Sequence, residues 1–150
     1  MINRRKNIDL ILLIIWMAFI FIMSNQPANI SDSQSGGVIK LLAMIGIDMN
    51  NMFGQLANFI VRKCAHFTEY MILALLVFNV LKSHFNIKQV IILTIICIFF
   101  YACSDEIHQL FVPGREGAFR DVLIDTCGGT LLTLIQLIKV KMLNRYRNIN

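Results

Sequence analysis

The sequence predicts an all-α integral membrane protein with four transmembrane helices, both termini cytoplasmic, and a short interfacial helix in the first outer loop. Three observations lead there. The 150 residues are 57% hydrophobic and only 15% charged, whereas soluble domains run to about 45–50% apolar and about 25% charged. Four long apolar stretches occur, at Ile8–Met23, Phe67–Leu81, Val90–Cys103 and Val122–Val140. The basic residues are also spread unevenly over the segments that join them. The length suits a single domain over residues 1–150.

The first apolar stretch follows Arg4-Arg5-Lys6 and closes at Ser24-Asn25-Gln26-Pro27, because proline disfavours helix in the residue before it. A basic start before an apolar run also suits a signal peptide. No A-x-A cleavage site follows, so the segment reads as a retained first helix. Residues 24–54 make the longest connection. Within it Ser31–Gly37 reads as a polar, glycine-bearing turn. Val38–Ile47, apolar except for Lys40, is too short to span and reads either as a helix in the outer interface or as a lid over a site. Most of the apolar stretches fall short of the roughly 20 residues that cross about 30 Å of hydrocarbon. Helices running on through the flanking polar residues resolve the shortfall: the second from near Gln55, the third to about Gln109, the fourth from near Arg120.

Orientation follows from the lysines and arginines. With the N-terminus inside, nine of the 14 lie on the cytoplasmic side: Arg4, Arg5, Lys6, Lys82, Lys88, Lys139, Lys141, Arg145 and Arg147. Lys40, Arg62, Lys63, Arg115 and Arg120 lie outside. The net charge of +5 thus suits anionic inner-leaflet lipid. No zinc finger or RNA-binding motif accompanies it, which argues against a nucleic-acid partner. Cys64, Cys97, Cys103 and Cys127 fall in or beside apolar stretches without any CxxC pair. They read as small buried hydrophobes, with a Cys64–Cys127 or Cys103–Cys127 bridge left open.

This orientation brings three polar runs to one membrane face: Arg62-Lys63-x-x-His66-x-x-Glu69, Ser104-Asp105-Glu106-x-His108-Gln109 and Asp121-x-x-x-Asp125. Ionisable groups beside long apolar stretches are costly to desolvate, so site chemistry is the default reading. Arg62, His66 and Glu69 share a helix face, with Lys63 beside them. Arg and Lys alone would serve as snorkelling anchors; a carboxylate two turns deeper calls for a role inside the bundle. Asp105 shares a face with His108 and Gln109, while Glu106 projects elsewhere. Pro113-Gly114 makes a turn that presents Arg115, either to clamp a carboxylate or phosphate bidentately or to bridge internally to Asp105 or Asp121. Asp121 suits a helix start. Asp125, one turn deeper, needs a partner among Arg62, Lys63, Arg115 and His66. Gly128-Gly129 allow a neighbouring helix to approach closely.

Several chemistries stay open on these residues. His66, Glu69, Asp105 and His108 are candidates for general acid–base catalysis and, with Asp121 and Asp125 as further oxygen donors, for zinc or manganese ligation. No HExxH element supports a metal, and the nearby Arg and Lys would repel a cation unless turned away. No cofactor is required by the sequence. Ser104 lacks the GxSxG elbow of a nucleophile, and there is no Walker A loop or GxGxxG fingerprint.

Taken together, Arg62-Lys63-x-x-His66-Phe67-x-Glu69-Tyr70, Ser104-Asp105-Glu106-x-His108-Gln109-x-Phe111-Val112-Pro113-Gly114-Arg115 and Asp121-Val122-x-x-Asp125-x-x-Gly128 resemble the VanZ-like family of bacterial membrane proteins. The Ser24-Asn25-Gln26 exit of the first helix is similar too. The resemblance covers roughly residues 8–135, with Leu132 standing where the family pattern has a second small glycine. It implies a multi-pass protein of the bacterial plasma membrane and cell envelope, and a link to glycopeptide (teicoplanin) resistance. It does not imply an activity.

The resulting expectation is an outer-face pocket binding an anionic lipid or cell-wall precursor group. Arg62, Lys63 and Arg115 would contact phosphate; His66, Glu69, Asp105, Glu106, His108, Gln109, Asp121 and Asp125 would shape and neutralise the site. The alternative is a membrane-embedded enzyme, metal-dependent or using His and carboxylate as acid and base, on such a substrate. A proton-coupled transporter ranks third, because the inner halves of the helices offer little polarity beyond Asn79 and Thr94.

Overall fold

A computed structural model describes residues 2–147, and these are almost wholly helical. The order is α1 (Ile2–Ser24), α2 (Ala28–Met44), α3 (Met49–Phe53), a 3-10 turn over Gly54–Leu56, α4 (Ala57–Leu81), α5 (Ile87–Gln109) and α6 (Phe119–Arg147). Lys6–Ser24, Met49–Leu81, Ile87–Gln109 and Phe119–Leu143 are each long and apolar enough to cross a membrane. The 25 residues of α4 rise about 37 Å at 1.5 Å per residue, enough for a tilted crossing.

Local chemistry sets the helix ends. Asn86 and Gln89 form a reciprocal capping box at the start of α5, each side chain accepting from the other's backbone N–H. The Asp48 carboxylate accepts from the Asn51 amide and starts α3. Pro27 precedes α2 and fixes the turn out of α1.

The connection after α1 differs from its expected form. Ser31–Gly37 is helical, not a turn, and α2 runs from Ala28 through the polar segment into Val38–Met44. The buried stripe Ser31, Ser35 and Ile39 (i, i+4, i+8) explains this. Ile39 packs with Ala57 and Val61 of α4, and that burial outweighs the roughly 1 kcal/mol per residue that glycine costs in a helix.

In a bilayer no hydrophobic force drives helix against helix, so close packing and interhelical hydrogen bonds must hold the bundle. Gly128 and Gly129 supply the first. A Cβ on Gly128 would lie 2.5 Å from the Phe67 carbonyl oxygen of α4, and one on Gly129 would lie 2.7 Å from Ile98 of α5. The pair lets α6 sit deep against both helices, its two most extensive neighbours. Two side chains tie α1 in place: Trp16 Nε1 donates to the Glu69 carbonyl at 3.0 Å, and the Tyr101 hydroxyl donates to the Met17 carbonyl at 2.7 Å.

The core is formed by Ile20, Tyr70, Leu73, Ala74, Val77, Ile98, Ala102 and Val122. Large apolar residues also cover the outside, among them Ile11, Ile15, Ile92, Phe100 and Leu131, which suits a hydrocarbon surround. The cysteines belong to that outer surface. All four are free, Cys64, Cys97 and Cys127 are exposed, and Cys103 is half-buried. Neither candidate disulfide forms. Cys103 packs against the core, while Cys127 stays outside it because the buried small-residue positions of α6 fall to the two glycines.

Candidate functional site

The first turns of α4 and α6 and the C-terminal end of α5 meet beneath α2 and the α5–α6 loop, and the three polar runs meet with them. Helical phase keeps Arg62, His66 and Glu69 along one cavity and puts Lys63 on its flank, but each finds a different neighbour. Arg62 turns toward α2, its Nη1 3.0 Å from Asp32 Oδ1. Lys63 turns toward α6, its Nζ 2.5 Å from Asp121 Oδ2 and 5.3 Å from the Phe59 ring centroid. His66 faces the interior, its Nδ1 3.9 Å from Asp125 Oδ2. Glu69 faces the cavity below α2.

On α5, Asp105, Glu106 and Gln109 are all buried. Gln109 Nε2 donates to Asp105 Oδ2 at 3.2 Å and to Glu106 Oε1 at 3.3 Å. The other Glu106 oxygen accepts the Ala118 amide at 2.9 Å, anchoring the entry to α6. Gly117 is required there, since a Cβ would collide with the Glu106 carbonyl oxygen. Glu106 therefore builds the site rather than facing its opening. His108 stands apart from the cluster. Its Nε2 lies 3.1 Å from Asn25 Oδ1 and its ring 4.6 Å from that of Phe21, which joins α5 to α1.

The Pro113-Gly114-Arg115 turn is fastened to the α1–α2 connection. Gly114 adopts φ +73°, a conformation that favours glycine. The Ala28 amide donates to the Pro113 carbonyl at 3.2 Å, and Arg115 Nε donates to the Gln26 carbonyl at 3.1 Å. Among the described residues Arg115 makes no ion pair within 4 Å, so the internal bridge to Asp105 or Asp121 does not form. Burial, and then repulsion from Arg62, press its guanidinium below the usual arginine value.

Two cavities share this pair of arginines. One, of roughly 150 Å³, is lined by Ser31, Gln34, Ser35, Val38, Arg62, His66, Glu69 and Arg115 among others. The second, of roughly 240 Å³, is lined by Arg62, Lys63, Arg115 and Arg120 with Gln109, Glu116 and Asp121. Arg120 Nε stands 3.8 Å from Asp121 Oδ1. The first cavity also has Val38, Val61, Ala65 and Glu69 in common with an apolar groove that continues past Trp16, Phe19, Leu42 and Ile72. The smaller cavity, largely apolar but bordered by Arg62, His66, Glu69 and Arg115, thus opens sideways onto the groove.

Below the cavities, His66, Asp105 and Asp125 each bring one potential ligand atom within 4.8 Å of the other two. Glu69 and His108 are outside that trio. Sequence reasoning missed Asp32 as the partner of Arg62, and the α2 serines as cavity wall. The Ser31–Ser35–Ile39 spacing was the signal for both, because it places a helix over the site.

A family model described as VanZ/LLP1 matches residues 10–140. The chain belongs to that family. The match takes in all three polar runs and the α5–α6 turn, so the site described above is part of the VanZ/LLP1 region and not an appendage to it. Comparison with curated proteins and with solved structures found no match. Family membership and four membrane-competent helices together make this VanZ/LLP1 chain a multi-pass membrane protein.

Proposed function

We propose that this VanZ/LLP1 protein binds the phosphate-bearing head of a lipid or lipid-linked cell-wall precursor at the outer face of the bacterial plasma membrane, with both termini in the cytoplasm. The observation that carries the reading is the shared wall. Arg62 and Arg115 line both cavities, and the smaller cavity runs into the apolar groove through Val38, Val61, Ala65 and Glu69. A free inorganic anion has no use for the groove; an amphiphile fills both.

Electrostatics points the same way. Arg62 and Arg115 repel each other, and a phosphate between them turns that repulsion into two charge-assisted contacts. Lys63 has its single nitrogen held by Asp121 and shapes the wall more than it binds, whereas Arg62 meets Asp32 through Nη1 alone and has further N–H donors for a phosphate. The cluster of His66, Asp105 and Asp125 favours, as a second reading, an enzyme acting on the bound headgroup. The teicoplanin link is tested by comparing susceptibility of a strain lacking the protein with its parent.

Native mass spectrometry of the full-length protein released from its own membranes tests the binding directly. One phosphate-bearing lipid per chain is expected on the wild type, and its loss in Arg62→Ala combined with Arg115→Ala. Equal lipid retention in that variant would overturn the proposal.

A further inference from the structure

We infer that His66, Asp105 and Asp125 form a binding site for one divalent transition metal ion, zinc or manganese, beside the cavity that His66 lines. This goes beyond headgroup binding and does not depend on it. The three residues come from α4, α5 and α6, and one ligand atom from each lies within 4.8 Å of the others. Metal–ligand bonds of about 2.0–2.2 Å place tetrahedral ligand atoms about 3.3–3.6 Å apart. His66 Nδ1 and Asp125 Oδ2 stand at 3.9 Å, and no pair exceeds 4.8 Å, so side-chain rotation must shorten these separations by about an ångström to close the site.

A buried cluster of carboxylates alone would not call for an ion. The second observation is that the donors are orphaned. Asp125 is 1% exposed, yet neither carboxylate oxygen has a hydrogen-bond partner, and His66 Nδ1 has none either. A buried carboxylate left without partner or counter-ion is among the costliest arrangements a protein can hold. The Tyr70 hydroxyl, on the same face of α4 one turn below His66, is also buried and unpartnered.

The surrounding cations do not settle the account. Lys63 is paired with Asp121, Arg62 with Asp32, and Arg115 donates to the Gln26 carbonyl. Each is turned to a partner of its own, which offsets part of the repulsion that a basic neighbourhood would impose on a metal. Two carboxylates, one neutral imidazole and one divalent cation sum to zero charge. Mixed imidazole and carboxylate donors select zinc or manganese over calcium and magnesium, which take oxygen ligands. Asp105 Oδ2 accepts from Gln109, a contact of the kind that orients a metal ligand from outside. His66 is common to the cluster and the cavity wall, so an open coordination position would face the chamber.

The test uses the full chain in detergent, stripped with chelator, dialysed against zinc or manganese without added lipid, and analysed by elemental mass spectrometry. About one equivalent per chain is expected in the wild type, falling at least about tenfold in Asp125→Asn and in His66→Gln, with Asp9→Asn unchanged. Cobalt substitution of the wild type, read by its visible absorption, should show a low-coordinate site with histidine ligation. That measurement stands even if a variant fails to fold. Less than about a tenth of an equivalent on the wild type, binding only of magnesium or calcium, or full occupancy in both variants would each overturn the inference. Because no lipid is present, failure here leaves the headgroup proposal standing, and the reverse holds too.

Discussion

Lys63 of α4 and Asp121 of α6 form a 2.5 Å ion pair at the polar end of the bundle, with side chains only 18% and 10% exposed. The pair closes one wall of the cationic chamber. It also fixes α6 against α4 two turns above the glycine contact at Gly128.

Removing one member of this pair should cost more than removing both. Lys63→Met leaves Asp121 nearly buried, with only Arg120 within reach at 3.8 Å. Breaking a buried pair costs about 3–5 kcal/mol, whereas replacing both partners with apolar residues is often close to neutral. Thermal unfolding in detergent should therefore show a large drop for Lys63→Met and recovery of most of it in Lys63→Met with Asp121→Leu. Equal destabilisation in the single and double variants would show that the two residues are not coupled.

The glycines of α2 and α6 should respond in opposite directions. Gly128→Ala drives a methyl to 2.5 Å from the Phe67 carbonyl oxygen, forcing α6 away from α4 at a cost of about 1–3 kcal/mol. Gly36 has nothing within 4 Å of a built Cβ and lies inside a helix, so Gly36→Ala should add about 0.5–1 kcal/mol. Unfolding midpoints of the two variants check both signs.

Glu106 is expected to govern the start of α6. Glu106→Ala removes the acceptor for the Ala118 amide, at a cost of about 1–3 kcal/mol for a partly buried donor left unpaired. Hydrogen exchange should quicken at Ala118 and its neighbours while the middle of α5 stays protected. Unchanged exchange there would mean the loop is held by Pro113 and Arg115 alone.

The four spans were legible because long apolar runs leave the chain few choices. The ends expected near Gln55, Gln109 and Arg120 lie close to the α4, α5 and α6 termini seen here. The meeting of the three polar runs was legible from spacing and charge. Which way each side chain turns was not. His108 was grouped with Asp105 by its i, i+3 spacing, yet it bonds to Asn25, and Glu106 proved buried and bonded to Ala118. Both depend on α1 lying on one flank of α5 and the loop after Gly114 on the other. That arrangement of neighbours is set by packing over long sequence separations, which a helical period does not encode. The same holds for Asp32, which reaches Arg62 only because α2 folds back over the site.

The membrane orientation is open to a direct chemical test. With the cysteines replaced, a single cysteine introduced as Glu116→Cys, in the exposed α5–α6 loop, should react with a membrane-impermeant maleimide in intact cells. Ser83→Cys, in the α4–α5 turn, should react only after lysis. The reverse pattern would place the polar site on the cytoplasmic side.

Titration of the purified protein with a short-chain phosphatidic acid shows whether Arg62 and Arg115 jointly hold an anionic amphiphile. Saturable binding of one lipid per chain is predicted. Affinity should fall at least about tenfold, or about 1.4 kcal/mol, when Arg62→Ala and Arg115→Ala are combined, and inorganic phosphate should compete only weakly because it leaves the apolar groove unfilled. Binding of equal strength to the wild type and the double variant would contradict the account.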